Sequence, residues 1–151
     1  MSDPVAEVFV RQFGHENGRL RKAIEGLAAG DLDRVVAPQT NSVAVLVAHA
    51  TGSELGWLHV AAGRSFQRDR DSEFRTRGVS AAELDARIER ASRAMPELVA
   101  AAIEGGLGTK RATRSGDEVT AGYALVHALE HLAEHVGQIE LTRQLITMPK
   151  S

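Results

Sequence analysis

Three histidines at intervals of four residues mark one stretch of this sequence, His127-Ala-Leu-Glu-His131-Leu-Ala-Glu-His135. Residues four apart lie one above another on an α-helix, so the three imidazoles would form a seam along one face. Apolar residues repeat around the seam at helical spacing, namely Leu125, Leu129, Leu132, Val136 and Ile139. The stretch is therefore predicted to be an amphipathic helix with its histidines at the rim of the buried face.

The same periodicity predicts three further helices upstream. Asp3-Pro4 is typical of a helix start, and the first helix is expected over about residues 4–28, ended by Gly30-Asp31. The second helix begins after Asn41 or Ser42, and the third follows the capping box Ser80-Ala-Ala-Glu83. The fourth, which carries the histidine seam, is expected over about 117–146. Four amphipathic helices of similar length predict an all-α four-helix bundle in a single domain, 1–151.

Two connections are longer than the tight turns of most bundles. Residues 63–79 are long enough to travel the length of the bundle, which would make the third helix a parallel neighbour of the second. Arginines alternate there with Asp69, Asp71 and Glu73, which favours a solvated crossover over a nucleic-acid site. Residues 105–116 are rich in glycine but follow a helix, so we expect a mobile surface loop rather than a phosphate-binding loop.

Composition narrows the classes of function. The formal net charge is -2, and the chain has only four Phe, one Trp and one Tyr, which argues against a nucleic-acid partner. It has no cysteine, so any thiol chemistry needs a thiol brought by a small molecule. No apolar run is long enough to suggest a membrane span or a signal peptide. We therefore expect a cytoplasmic protein without membrane or nucleic-acid partners.

A histidine on the second helix suggests a metal site. His49 lies at the margin of that helix's apolar face and could converge with His131 and His135 inside the bundle. Three neutral imidazoles with an open fourth position are typical of catalytic zinc, which binds water or a substrate thiol there. The alternative is that these histidines are ordinary surface or hydrogen-bonded core residues.

Other polar residues near the seam could support a metal site or contact a substrate. Gln138 lies on the His131 side of its helix and could hydrogen-bond a ligand. Glu54 falls inside an apolar stripe, where it could accept a hydrogen bond from a ligand imidazole or form a salt bridge with an arginine. Two overlapping matches to the inverted zinc-protease pattern, His-x-x-Glu-His, reflect a four-residue repeat and do not favour a protease.

Two motifs carry a resemblance to a known family. Residues 41–58, NSVAVLVAHATGSELGWL, and residues 127–139, HALEHLAEHVGQI, resemble the DinB/YfiT-like superfamily of small bacterial proteins. The resemblance implies an up-down-down-up bundle with a long crossover between helices two and three. It implies a divalent metal held by His49, His131 and His135, with zinc expected first and nickel or manganese as alternatives. His127 has no place in the family pattern, and could replace a ligand or support one.

The resemblance also implies a function. Members with known activity include transferases and isomerases that use a low-molecular-weight thiol, such as mycothiol, against an electrophile; homodimers are common among them. The alternative is a non-catalytic, metal- or small-molecule-binding dimeric bundle of the stress-response type. A third hypothesis is a purely structural dimer, in which Ala133 and Gly137 permit close approach of helices.

Overall fold

The computed structural model describes residues 3–149, and four long helices dominate it. These are α1 (Pro4–Ile24), α3 (Val43–Ala62), α5 (Ala81–Glu104) and α6 (Ala121–Thr147). Two short helices, α2 (Ala29–Leu32) and α4 (Arg70–Phe74), and two short strands, β1 (Lys110–Ala112) and β2 (Glu118–Thr120), lie in the connections. The predicted all-α bundle is confirmed.

The helix starts follow the predicted capping residues. The Asp3 carboxylate accepts hydrogen bonds from the backbone N–H groups of Val5 and Ala6, with Pro4 in the first turn. Ser42 caps α3, and Ser80 and Glu83 form the capping box of α5. Each cap satisfies backbone donors that have no partner inside the helix.

The end of the first helix was predicted wrongly. α1 stops at Ile24, four residues early, because Gly26 takes a left-handed conformation with φ of 74°. Glycine adopts that conformation without the steric cost that a side chain would add. Gly30 and Asp31, expected as the terminator, lie within α2 instead.

Ion pairs show how α1 runs relative to its two neighbours. Arg21, near the end of α1, pairs with Asp85 and Glu89, near the start of α5, so these helices are antiparallel. Arg19 pairs with Glu140, near the end of α6, at 2.6 Å, so α1 and α6 are parallel.

Side chains near the end of α3 give the remaining directions. Trp57 lies against Tyr123, in the first turn of α6, so α3 and α6 are antiparallel. Arg64, just beyond α3, pairs with Glu97 in the second half of α5, so α3 and α5 are parallel. The four helices therefore run up, down, down and up. Because α1 and α3 each pack against α5 and α6, they lie diagonally opposite each other.

Helix α3 is the most enclosed element. Fourteen of its 20 residues are buried, including His49 and Glu54. A helix that is buried on nearly all sides needs cover on its outer face as well as from the bundle. Residues 63–80, which we call the crossover, supply part of that cover through α4. The prediction of a solvated crossover is therefore wrong at Glu73 and Thr76, which are buried.

The glycine-rich connection is more ordered than expected. β1 and β2 pair as an antiparallel hairpin with Lys110 opposite Thr120, and Thr120 then caps α6. The last helix consequently begins at Ala121 rather than near Asp117. Strands of three residues are too short to produce a readable alternation of polar and apolar residues. None of the helices in residues 3–149 is long and apolar enough to cross a membrane.

Candidate metal centre

Three histidines from two helices converge at one point of the bundle. His49 is buried on α3, and His131 and His135 are half-buried one turn apart on α6. The ring centroid of His49 lies 5.2 Å from that of His131 and 4.9 Å from that of His135. One nitrogen from each ring lies within 4.8 Å of those of the other two. The antiparallel packing of α3 and α6 thus brings together the three residues predicted from the sequence.

The hydrogen bonds at His135 define which of its nitrogens is available. Its Nδ1 lies 2.8 Å from Gln138 Oε1, and because an amide oxygen only accepts, Nδ1 carries the proton. Its Nε2 therefore has a free lone pair, and this atom lies 3.2 Å from Nε2 of His131. Gln138, predicted either to support a metal ligand or to contact a substrate, therefore lies where it orients His135.

His49 is oriented by a carboxylate from the crossover. Its Nδ1 lies 3.0 Å from Glu73 Oε2 and 3.3 Å from an Arg68 guanidinium nitrogen. Burial raises the pKa of Glu73, but hydrogen bonds from Arg68 and His49 and their charges outweigh it, so the pKa is lowered. The ionised carboxylate can only accept, so Nδ1 of His49 donates to it, and Nε2 is the ring nitrogen that remains for a metal.

Burial favours the neutral form of His131 and of His135. It lowers the pKa of His131 to about 4, with further lowering from the neighbouring histidines and Arg68. Burial also lowers the pKa of His135, although the Gln138 hydrogen bond opposes the change. Nδ1 of His131 has no hydrogen-bond partner among residues 3–149. Histidine binds metals as the neutral imidazole, and one nitrogen of each ring lies within 4.8 Å of those of the other two, so this triad could hold a divalent metal ion.

His127 lies beside the triad rather than in it. Its ring centroid is 5.8 Å from that of His131, 4.4 Å from that of Trp57 and 5.7 Å from that of Tyr123, on which it stacks. Trp57, Tyr123 and His127 thus form an aromatic cluster, which we call the aromatic wall, beside His131.

Glu54 forms a separate polar contact in the core. Its Oε1 accepts a 2.9 Å hydrogen bond from Asn17 Nδ2 on α1, and its Oε2 has no partner among residues 3–149. Burial raises the pKa of Glu54 to about 7, although the Asn17 hydrogen bond opposes the rise. The arginine salt bridge considered from the sequence is therefore absent from the described contacts of Glu54.

A cavity of about 820 Å³ opens next to the aromatic wall. Trp57 and Tyr123 line it, and so does Arg68, which also contacts the His49–Glu73 pair. Its size falls within the range of small-molecule sites. Apolar, charged and hydroxyl side chains complete the lining, namely Val60, Phe66, Arg70, Asp71, Thr113, Arg114, Ser115, Asp117 and Val119.

Sequence reasoning missed Arg68 and Glu73. Both lie in a stretch whose alternating charges are typical of a solvated loop. A usable signal was nevertheless present, because Gly52 and Gly56 follow His49 by three and seven residues on the same face of α3. Glycines inside a helix often mark the close approach of another segment.

The order of helices and the placement of histidines now have a counterpart among known proteins. A model of the mycothiol S-transferase family matches residues 9–148. The chain belongs to this family. The match supports the DinB-like superfamily recognised from the two histidine motifs.

Solved structures agree with the fold. A conserved protein from Enterococcus faecalis matches with a TM-score of 0.74 at 15% identity, over 96% of this chain and 98% of that one. A DinB-like protein from Bacillus cereus matches with a TM-score of 0.71 at 17% identity, over 96% of each chain. At these identities the likeness is one of fold alone. No curated protein matches the sequence.

Proposed function

We propose that this protein is a metal-dependent S-transferase that joins a low-molecular-weight thiol, such as mycothiol, to an electrophile. His49, His131 and His135 hold the metal through their Nε2 atoms. The observation that carries the proposal is the convergence of three imidazoles, one nitrogen of each lying within 4.8 Å of those of the other two, in a member of the mycothiol S-transferase family. Nitrogen donors suit zinc first, with nickel or manganese as alternatives.

The metal would supply one element of chemistry, the stabilisation of a thiolate at neutral pH. Three protein ligands leave a fourth position for the thiol in a tetrahedral site. Glu73 and Gln138 keep the rings of His49 and His135 oriented. The cavity lined by Trp57 and Tyr123 would hold the electrophile. None of the three histidines is in its lining, and Arg68 connects the cavity to His49.

The transfer itself is a nucleophilic substitution. The thiol releases its proton, and its sulfur forms a bond to an electrophilic carbon of the second substrate. The bond from that carbon to the halide or to the epoxide oxygen breaks, and the halide or oxygen keeps its electron pair. The thiol proton goes to solvent, or ends on the opened epoxide oxygen. Nothing is oxidised or reduced, so no further co-reactant is needed, consistent with a chain that has no cysteine.

The test uses zinc-loaded protein with mycothiol and a panel of haloalkyl and epoxide electrophiles, and detects conjugates by mass spectrometry. We expect conjugate formation above the uncatalysed rate, lost in His49→Ala and retained in His15→Ala, which changes an exposed histidine on α1. Stoichiometric metal without turnover across the panel would favour the alternative, a non-catalytic metal- or small-molecule-binding bundle. Glutathione in place of mycothiol tests the choice of thiol.

The proposal includes a homodimer formed through the outer face of α6. Val126, Leu141 and Met148 are exposed there, and a side chain added at Gly137 would meet open space. Ala133 lies on the same face, so a second helix could approach closely. Light scattering on the purified protein should give twice the monomer mass, and Leu141→Glu should give the monomer. A wild-type monomer at micromolar concentration would contradict this part of the proposal.

A further inference from the structure

The crossover contributes a buried ionic group to the metal centre. Glu73, on α4, is only 5% exposed, although its neighbours in sequence are solvated. Arg68 donates to both of its carboxylate oxygens, from Nε to Oε1 at 2.7 Å and from a terminal nitrogen to Oε2 at 2.8 Å. A two-point contact of this kind fixes both the position and the plane of the carboxylate.

The fixed carboxylate points at one metal-site histidine. Glu73 Oε2 accepts from Nδ1 of His49, and a buried carboxylate in that place holds the ring at one rotation and makes Nε2 more basic. Phe74, the next residue of α4, packs its ring 4.7 Å from the His49 ring. The crossover therefore limits the movement of His49 by a polar and an apolar contact.

Helix α3 is shaped to admit this group. A Cβ at position 52 would lie 2.7 Å from the carboxylate carbon of Glu73 and would overlap its Oε1. At position 56, an added Cβ would lie 3.4 Å from Arg68 Cδ. Glycine in a helix interior costs roughly 1 kcal/mol relative to alanine. At position 52 the structure offers a reason for that cost, because only glycine leaves room for Glu73.

We propose that Glu73 is the positioning residue of the metal centre, clamped by Arg68 and admitted by Gly52, so that docking of the crossover on α3 and metal binding stabilise each other. The inference rests on the proposed function for the identity of the site as a metal centre. It adds that the crossover is part of the metal centre, although it provides none of the three metal ligands. Removal of such a carboxylate lowers metal affinity by roughly 10–100-fold in comparable sites.

Gly52→Ala gives the most discriminating test. It raises the intrinsic helix propensity of α3, yet its Cβ must displace the Glu73 carboxylate from His49. Zinc dissociation constants are measured by chelator competition for wild type, Gly52→Ala, Glu73→Ala and the double variant. Glu97→Ala, which removes an exposed carboxylate paired with Arg64, is the control.

We expect Gly52→Ala and Glu73→Ala each to weaken zinc binding by roughly 10–100-fold. The double variant should bind like Glu73→Ala alone, because no carboxylate remains for the new Cβ to displace. The control should bind like wild type. Wild-type affinity in Gly52→Ala or Glu73→Ala, or losses that add in the double variant, would overturn the inference.

Failure of the proposed function gives a different result, since wild-type protein would then bind no zinc at all. A second measurement covers the case in which Glu73→Ala does not fold. Trypsin cleavage after Arg75 and Arg77 is followed with and without zinc. Zinc should slow cleavage in wild type and have less effect in Gly52→Ala, because the coupling between binding and docking is reciprocal. Equal protection in both proteins would overturn the inference.

Discussion

Asn17 of α1 donates a 2.9 Å hydrogen bond to Glu54 Oε1 of α3, across the diagonal of the bundle. The other oxygens of this pair, Asn17 Oδ1 and Glu54 Oε2, have no partner among residues 3–149. A buried carboxylate with one hydrogen bond is costly when ionised, which is why burial raises the pKa of Glu54 to about 7. The neutral acid is thus the form that the folded core favours.

This pair predicts an unusual dependence of stability on pH. The ordinary pKa of a glutamate side chain is 4.5, and burial raises the pKa of Glu54 to about 7 in the folded protein. Between these values the folded protein holds a proton that the unfolded chain has released, so raising the pH destabilises the fold. Glutamine at position 54 cannot ionise, so the Glu54→Gln variant should not lose stability in this way as the pH rises.

The measurement is urea unfolding of metal-free wild type and Glu54→Gln from pH 4 to 8. The free energy of unfolding of the variant, relative to wild type, should rise between pH 4.5 and 7 and stay constant above. The total change is at most about 3.5 kcal/mol, at about 1.4 kcal/mol per pKa unit. Glu97→Gln, with an exposed carboxylate, is the matched control. A flat difference for Glu54→Gln would show that Glu54 is ionised in the core without penalty.

We expect substitutions on the buried and the exposed faces of α6 to change the free energy of unfolding by very different amounts. Leu132 is 0% exposed and Leu141 is 57% exposed. Leu132→Ala should lower the free energy of unfolding by about 2–5 kcal/mol, because it removes buried methyl groups and leaves a cavity. Leu141→Ala should change it by about 0.5 kcal/mol or less in the monomer. Similar losses for the two, in denaturant titrations below the concentration of dimerisation, would contradict the assigned orientation of α6.

The single tryptophan gives a direct report on the cavity. Trp57 lines the cavity and lies 4.4 Å from the ring centroid of His127. Binding of mycothiol to zinc-loaded protein should therefore change the tryptophan emission, because solvent is displaced from the indole. Trp57→Phe should lose the signal while calorimetry still detects binding. Saturating binding in calorimetry with unchanged emission would contradict placement of the ligand in this cavity.

The histidine site illustrates what spacing can predict. His131 and His135 share a face because they are one helical turn apart. His49 lies at the margin of the apolar face of its own helix, so its side chain could converge with theirs inside the bundle. Predicting this convergence requires only the helical repeat of about 3.6 residues and the assumption that the helices pack as a bundle. The resemblance to DinB-like proteins added the direction of each helix. The ion pairs of Arg21 and Arg19 bear this out for α1, and the contacts of Trp57 and Arg64 do so for α3.

The partners of these residues could not be predicted in the same way. Periodicity places Glu54 on a buried face but does not identify Asn17, which lies 37 residues away on a diagonal helix. Glu73 lies on a helix of five residues, too short for a periodic pattern, within a run of charges that suggests solvent. Its burial depends on the space at Gly52, which is a tertiary feature. The β1–β2 hairpin was missed for a similar reason, since each strand has only three residues.

Metal content measured by elemental mass spectrometry, on untagged protein purified without chelators, tests the central claim most directly. Wild type and His15→Ala should each carry about one equivalent of a divalent metal, the stoichiometry of a single three-histidine site. His49→Ala, His131→Ala and His135→Ala should each lose it while remaining folded, and His127→Ala should keep it. Substoichiometric metal that none of these substitutions changes would contradict the metal centre, and with it the proposed transferase.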